Sequence, residues 1–458
     1  VGAALLIIAI YHAFVREALA VVAIGFALSS LDSLAIDLSF GARLAWRRVA
    51  VHSRWPRARA DRLGGPGAAM AIVIPAWDEA AVIGPMLRTL FATLDYPNYR
   101  VFVGIYPNDP ATLDAVRGAA DPRLSVVTCR RPGPTTKADC LNHLWRAVVD
   151  DERRRQSPYA AVVLHDAEDV VDAYGLRVFD HLIPRLAMVQ LPVEPLPDPE
   201  SPWISGHYLD EFAEAHLKDV VIREAWGAAV PSAGVGCAIE RTLLGRIADA
   251  AAGAPFDADS LTEDYELGIR IDRLGGRTAL VRIARPGGGV VATRAFFPGT
   301  LDTAVRQKAR WLLGIAFGGW DRLGWKGSAA ARVMLWRDRK AIAAALLTVS
   351  GYVVAALALL DGAIVRLAGA SLPPLVAQGS WLAVTLACTT VVLGWRLAVR
   401  AACTWSIYGW REGLSALPRA VTSNLINAMA AWRALRRYLA TTPGPAVWDK
   451  TAHRFPAA

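Results

Sequence analysis

Cysteine is scarce in this chain. Five are present in 458 residues, at positions 129, 140, 237, 388 and 403, and none falls in a CxxC or a Cys/His ligand spacing. That excludes a thiolate metal site and leaves no disulfide framework to read; the five are expected as free thiols in a reducing compartment. The sequence pattern of a cleavable leader is also missing from the opening residues. The opening VGAALLIIAIYHAF is apolar but broken by Arg16 and Glu17, with no basic stretch ahead of it and no small-residue cleavage site behind it. The first residue is Val, as from a non-ATG start or a trimmed end. Nor does the net charge of +9 form a basic soluble face. The Arg clusters sit at the edges of apolar blocks, which argues for a lipid bilayer and against nucleic acid as the partner.

Hydrophobic residues make up 54% of the chain, with 16 Trp and a mean hydropathy of +0.30, and they are unevenly spread. AIAAALLTVSGYVVAALALL (341–360) is long enough to cross a bilayer, since ~20 helical residues span ~30 Å. WLAVTLACTTVVLGW reaches that length if the segment runs over 378–396. A third segment at about 18–38 carries Asp32, which is costly in lipid unless paired or facing protein. Arg43, Arg47, Arg48, Arg54, Arg57, Arg59 and Arg62 follow that segment, and Arg332, Arg337, Arg339 and Lys340 precede 341–360. The loop between the last two segments offers only Arg366. Cytoplasmic loops carry the excess Lys and Arg, so 41–340 is expected inside, the N-terminus outside and the C-terminus inside. The organisation that follows is an N-terminal apolar region (1–40), a basic linker (41–69), a catalytic domain (70–300), an interfacial stretch (301–340), two further crossing helices, and a cytoplasmic or interfacial end (397–458).

The cytoplasmic part alternates short apolar runs with helical patterns. MAIVIP (70–75), RVFVGIY (100–106), LSVVT (124–128) and AAVVLH (160–165) read as strands; 79–94 and 137–155 read as helices. This alternation predicts an α/β domain with a largely parallel sheet covered on both faces, its ligands at the carboxyl ends of the strands. The strand ends carry Pro75, Trp77 and Glu79, then Asn108 and Asp109, then Lys137 at a helix start, then Asp166 and Glu168. The last two are spaced i, i+2, so both point to one side of an extended chain, and their oxygens suit Mg²⁺ or Mn²⁺. Further on, Asp257, Asp259, Glu263, Asp264 and Glu266 crowd into a short stretch ahead of an apolar helix. Acidic residues at a helix start are either complements to its positive end or working carboxylates.

The order of PAWDE, KADCLN, DAED, LTEDYELG and QKARW resembles the family-2 glycosyltransferases. That resemblance implies the nucleotide-sugar-binding GT-A fold. It also implies a metal- and diphosphate-binding acidic pair in Asp166 and Glu168, a catalytic base in Asp264, and the Q-x-x-R-W signature of processive polymer synthases in Gln307, Arg310 and Trp311. A closer resemblance runs along nearly the whole chain. YPNDP, CRRPGPTTKADCLN, YLDEFAEAHLKDV, VPSAGVGCAIER, LWRDRK, NLINAMAAWRAL and WDKTAHRFP look like the NfrB-type bacteriophage adsorption proteins. These are inner-membrane family-2 glycosyltransferases linked to a secreted surface polysaccharide. The resemblance implies a nucleotide-sugar donor of UDP type, a polysaccharide acceptor and an outer-membrane export partner. It also implies a cyclic di-GMP-binding domain that would begin just beyond this chain.

Against that family pattern, two departures stand out. The paired Asp residues expected after the second strand are Ile105 and Tyr106, so Asn108 and Asp109 either replace them as donor contacts or simply form a turn. The second acid of the metal pair is Glu168, one methylene longer than Asp, with Asp169 beside it as another source of oxygen. Glu263 is expected to orient the acceptor next to Asp264, and Arg310 to meet the leaving diphosphate with its planar fork. Gly234 and Gly236 would let a sugar approach the backbone, with Cys237 either touching the acceptor or packing in the core. Trp311 is read both as a sugar-stacking platform and as a membrane-interface anchor. Transfer of one sugar to a lipid phosphate, or a silent scaffold, are the rival readings.

Overall fold

The computed structural model describes residues 2–183, 185–440 and 453–456. Nine strands are described: β1 (Met70–Pro75), β2 (Tyr99–Ile105), β3 (Leu124–Thr128), β4 (Ala161–Leu164), β5 (Met188–Gln190), β6 (Val193–Pro195), β7 (Cys237–Glu240), β8 (Thr278–Leu280) and β9 (Thr293–Ala295). Seven of them form one sheet in the order β3-β2-β1-β4-β7-β5-β8, while β6 and β9 pair separately. The four strands read from the sequence run parallel, but β7 is antiparallel to both β4 and β5, which makes the sheet mixed.

Why β1 lacks polar alternation is visible in its burial: all six residues are buried. Met70, Ile72 and Ile74 join one apolar layer with α2 (Ala80–Thr93), α3 (Pro110–Arg117) and α5 (Gly175–Leu182). Ala71 and Val73 join the opposite layer with α4 (Lys137–Arg155), α8 (Arg241–Asp249) and α9 (Glu263–Arg273). A strand covered on both faces gains from apolar residues at every position.

Three helices are long and apolar enough to cross a membrane: α1 (Gly2–Trp46), α12 (Ala329–Leu367) and α13 (Trp381–Tyr408). Residues 2–17 continue the same helix as 18–38, and LWRDRK lies inside α12 instead of ahead of it. Asp32 has the partners its position demands, with Arg337 Nη1 at 2.5 Å and Lys340 beside it. A second polar link between these two helices joins His12 Nδ1 to Asp361 Oδ2 at 2.8 Å.

Helices α6 (Gly206–Glu214), α7 (Val220–Ala225), α10 (Leu301–Leu312) and α11 (Gly319–Leu323) carry the catalytic domain onto this bundle. So does α14 (Trp410–Leu439), whose small residues Ala430 and Ala434 pack on Ala309 of α10. Its outward face leaves Trp410, Leu414, Leu417, Val421, Leu425 and Trp432 exposed at helical spacing.

Candidate active site

Beyond β4 the chain does not stay extended. Asp169 is buried and turns back, its Oδ2 accepting from the Asp166 amide at 3.1 Å and lying 2.9 Å from His165 Nδ1. The turn gives the two acids of the DAE sequence different partners, although both line the same cavity. Asp166 Oδ1 lies 2.5 Å from Lys137 Nζ. Lys137 opens α4, where Thr136 caps the helix by accepting from the Asp139 amide at 3.1 Å. Burial alone would lower the Lys137 pKa, but the Asp166, Glu263 and Asp264 carboxylates outweigh it and raise it, so the amine stays charged.

Glu168 faces another group. His453 Nδ1 lies 2.9 Å from Glu79 Oε1 and 3.4 Å from Glu168 Oε2, and the ligand atoms of all three residues lie within 4.8 Å of one another. Burial raises the Glu168 pKa, with the Asp166 and Glu79 carboxylates adding to it and His453 opposing. Burial pulls the His453 imidazole down, but Glu168 and Glu79 override it and hold the ring protonated above its ordinary range. Arg454 clasps Asp198 and, at 2.7 Å, Glu200, and Phe455 packs on the core, so the residues that directly follow His453 are fastened to the domain. With the imidazole proton displaced by a cation, the two carboxylates and the ring nitrogen would form a donor set suited to Mn²⁺, and the Asp166 charge acts on the same group.

Glu263 and Asp264 occupy the first turn of α9. Asp264 Oδ1 accepts from the Tyr265 amide at 2.7 Å. Burial raises the Asp264 pKa against the pull of Lys137 and Arg310, and burial together with the Asp264 charge raises that of Glu263. Asp257 is tied instead to Arg270 at 3.1 Å, and Glu266 to Arg322 and Ser260, so these acids hold the helix in place.

Gly234 turns at φ +75° directly against the Asp264 carboxylate, where a β-carbon would overlap it; Gly236, at φ +56°, lies equally close to the Thr293 hydroxyl. The glycines therefore let the loop close on Asp264. Gln190 holds this loop, its Oε1 accepting from the Ala233 amide and its Nε2 donating to Val235 O, both at 2.8 Å. Cys237 lies in β7, buried behind the loop with its Sγ 3.1 Å from Ser232 Oγ; burial pushes the thiol up to about 12, and it does not line the cavity.

A cavity of about 310 Å³ joins these parts. Pro75, Glu79, Lys137, Asp166 and Glu168 line it together with Glu263 and Asp264 and, from α10, Gln307, Arg310 and Trp311. Gln307 Oε1 and Arg310 Nε are buried without a partner among the described residues. The Trp311 ring packs edge-on against Tyr208 and Phe212, with centroids 6.2 and 6.3 Å away. Three of the residues expected at the donor do not line the cavity. Trp77 packs edge-on against Tyr106, at 5.2 Å between centroids. Asn108 bonds both the amide and the carbonyl of Gly133, at 2.7 and 2.9 Å. Asp109 caps α3 and accepts from the Asp78 amide at 2.6 Å. For Asn108 and Asp109, the turn is what the geometry displays.

The family model for glycosyltransferase-like family 2 matches residues 66–314, more than half of the chain. The chain belongs to that family. This glycosyltransferase is 38% identical over 94% of its length to bacteriophage adsorption protein B of Escherichia coli (strain K12), and equally to bacteriophage N4 adsorption protein B of Escherichia coli O157:H7. It spans 61% of the length of each of these relatives. Among solved structures, the mannosyltransferase PcManGT of Pyrobaculum calidifontis, in complex with GDP-Man and Mn²⁺, has the same fold. The TM-score is 0.50 at 18% identity, covering 89% of this chain and 99% of that one.

The glycosyltransferase also uses residues that the sequence reading passed over. His453 lay within WDKTAHRFP, but nothing in a lone His nearly 300 residues away signals a contact with Glu79 and Glu168. Gln190 ends a strand of three residues, too short to display any period. Phe297 lines the cavity from a loop that carries no motif, and Thr262 from LTEDYELG, where only the acids drew notice.

Proposed function

We propose that this glycosyltransferase is an inverting, metal-dependent enzyme of the bacterial inner membrane that transfers a sugar from a nucleoside-diphosphate donor to the hydroxyl of a growing polysaccharide. The observation that carries the reading is the convergence of Lys137 and Asp166, Glu263 and Asp264, and Gln307, Arg310 and Trp311, from separate segments, on one cavity. Asp264 is the base: its carboxylate takes the proton of the acceptor hydroxyl as that oxygen bonds to the anomeric carbon and the bond to the nucleoside diphosphate breaks. Burial raises its pKa, which strengthens it as a proton acceptor. Lys137 and Arg310 bring positive charge to the departing phosphates, Arg310 with a planar fork. Trp311 offers an aromatic face to an acceptor sugar, and Gln307 an unpaired amide oxygen to its hydroxyls.

Glu79, Glu168 and His453 would hold a divalent cation, Mn²⁺ or Mg²⁺, with Asp166 adjacent. Such an ion supplies neutralising charge for a leaving diphosphate when bound. A mannosyltransferase of the same fold that binds GDP-Man and Mn²⁺ supports this part of the reading. The resemblance to adsorption protein B supports a UDP-sugar donor, an exopolysaccharide product and an outer-membrane export partner.

The three apolar helices cross the bilayer with the N-terminus outside and the catalytic domain inside, as the Lys and Arg distribution demands. The test uses purified protein in lipid nanodiscs with Mn²⁺ and labelled UDP-N-acetylglucosamine, UDP-glucose or GDP-mannose, read on a gel. A ladder of products is expected. A single added sugar would instead indicate transfer to a lipid carrier, and no transfer from any donor would sink the enzyme reading. In sealed inverted vesicles, new polymer is expected to become protected from added glycanase; polymer that stays digestible would mean synthesis without translocation.

A further inference from the structure

The four consecutive charges of LWRDRK, at the cytoplasmic end of α12, fasten that helix to several other parts of the chain. Arg337 and Lys340 hold Asp32 of α1. Arg339 donates to Gly324 O at 2.6 Å and lies over the rings of Trp320 and Trp325. Asp338 turns toward α9 and α7. Its Oδ2 accepts from Tyr265 OH at 2.6 Å, and both its oxygens accept from Arg223 Nη1, at 3.0 and 2.9 Å.

Both partners lead to the base. Tyr265 is the residue whose amide binds Asp264 Oδ1 at 2.7 Å, so its main chain holds the carboxylate while its side chain is held by α12. Arg223 also donates from Nε to Ala229 O at 2.6 Å, at the entrance to the loop whose Gly234 lies against Asp264. Leu335, one turn before Asp338, packs with Tyr265 and Ala229 in a single apolar cluster. Two walls of the base pocket thus converge on one carboxylate of a membrane-crossing helix.

We propose that Asp338 is a positioning residue for the transfer step: through Tyr265 and Arg223 it fixes the helix start and the glycine loop that orient Asp264, and so ties the base to the seat of α12. The proposal rests on Asp264 being the base. Asp338 itself touches no substrate. A misplacement of about 1 Å can cost ~10²-fold in rate, so loosening this tie acts on turnover and not on donor affinity.

The experiment compares the parent, Tyr265→Phe, Asp338→Asn, the double variant and Asp264→Asn in nanodiscs. It measures sugar transfer from the three donors named above, binding of UDP and GDP with Mn²⁺ by calorimetry, and melting temperature. Tyr265→Phe, which removes one hydroxyl, is expected to lower turnover by roughly tenfold while KM and nucleotide affinity stay within about twofold. The double variant is expected to be no slower than the slower single one, because both act through one bond. Unchanged turnover in Tyr265→Phe overturns the proposal, as does a parallel fall in turnover, affinity and melting temperature, which marks a merely structural role. Transfer that survives in Asp264→Asn, or a parent that uses no donor, overturns the base reading and the proposal with it.

Discussion

Two collections of buried charge lie within this molecule, and they are built in opposite ways. The collar between the catalytic domain and the helices is matched. Lys218 reaches Asp37 at 2.5 Å and Glu214 at 2.9 Å, Arg400 reaches Glu214 at 3.0 Å, Arg419 grips Asp210 at 2.8 and 3.0 Å, and Lys308 meets Glu211 and Asn427. Despite burial, their cationic partners pull Glu214 down to about 2 and hold Glu211 well below the usual carboxylate range. Asp210 and Lys308 are exceptions: burial outweighs Arg419 and pushes Asp210 up to about 6, and it lowers the pKa of Lys308 against the pull of Glu211. In the cavity the balance is reversed: burial wins at Glu168, Glu263 and Asp264, whose pKa values all rise. Matched charges fasten parts together, whereas acids crowded beyond their partners create a field for cations and a poised base.

Asp264→Asn would sharpen this contrast most. Transfer is expected to fall by ~10²–10⁴-fold, the usual cost of losing a general base, with nucleotide binding kept. Because the pKa of Asp264 lies above the ordinary carboxylate range, kcat/KM of the parent should climb as pH rises through that raised value, where the base loses its proton. The Asn variant should lack this limb. Near-normal synthesis would show that the crowded acids of the cavity serve something other than proton transfer.

In the collar, the corresponding cut is Arg419→Met. It strands the buried Asp210 and also removes the partner of the partly exposed Glu412; breaking a buried ion pair costs about 3–5 kcal/mol. The expected signature is a lower melting temperature with any surviving protein fully active per folded molecule, and adding Asp210→Leu should recover part of the loss. If activity fell without a change in melting, the collar would be functional and the comparison would break.

Glu168→Ala and His453→Ala test the cation side of the cavity. Each is expected to raise the Mn²⁺ concentration needed for half-maximal donor binding by at least ~10-fold, a loss that even a neighbour of a ligand brings. Equal binding with and without EDTA in the parent would remove the metal from the reading. A smaller effect is expected from Trp311→Ala, which removes an aromatic contact of ~1 kcal/mol and should shorten the polymer while sparing nucleotide affinity. Arg310→Lys should do the same, since the charge survives but the fork is lost.

The comparison also explains which parts were legible from residues alone. β1, β2 and β4 follow runs of buried apolar residues, β3 follows an apolar run at the partly exposed sheet edge, and these strands and the helices after β1 and β3 lie within a few positions of the bounds read from the sequence. Strands β5 to β9 span three or four residues each, too few to display a period, and the antiparallel β7 is set by long-range pairing. The acids of the site were visible because they cluster in sequence. Their partition was not, because the Asp169 turn that separates Asp166 from Glu168, and the return of His453, are tertiary events. The collar was equally hidden: Asp37, Lys218 and Arg400 stand far apart along the chain.

The smallest expected effect separates a turn from a ligand contact. Asn108 was a candidate for holding the donor, yet its amide is fully engaged by the chain itself, accepting from Gly133 N at 2.7 Å and donating to Gly133 O at 2.9 Å. Those two bonds pin the end of β2 to the loop that leads into Lys137, so the residue reaches the site only through the backbone it braces. Asn108 is exposed, where each such bond contributes only about 0.5–1.5 kcal/mol net. Asn108→Ala should therefore lower the melting temperature slightly and leave the affinity for UDP or GDP with Mn²⁺ unchanged. A donor contact would behave in the opposite way, with affinity dropping at constant stability. That result would move Asn108 from the fastened part of the molecule to its working cavity, and would reopen where the nucleotide base is held.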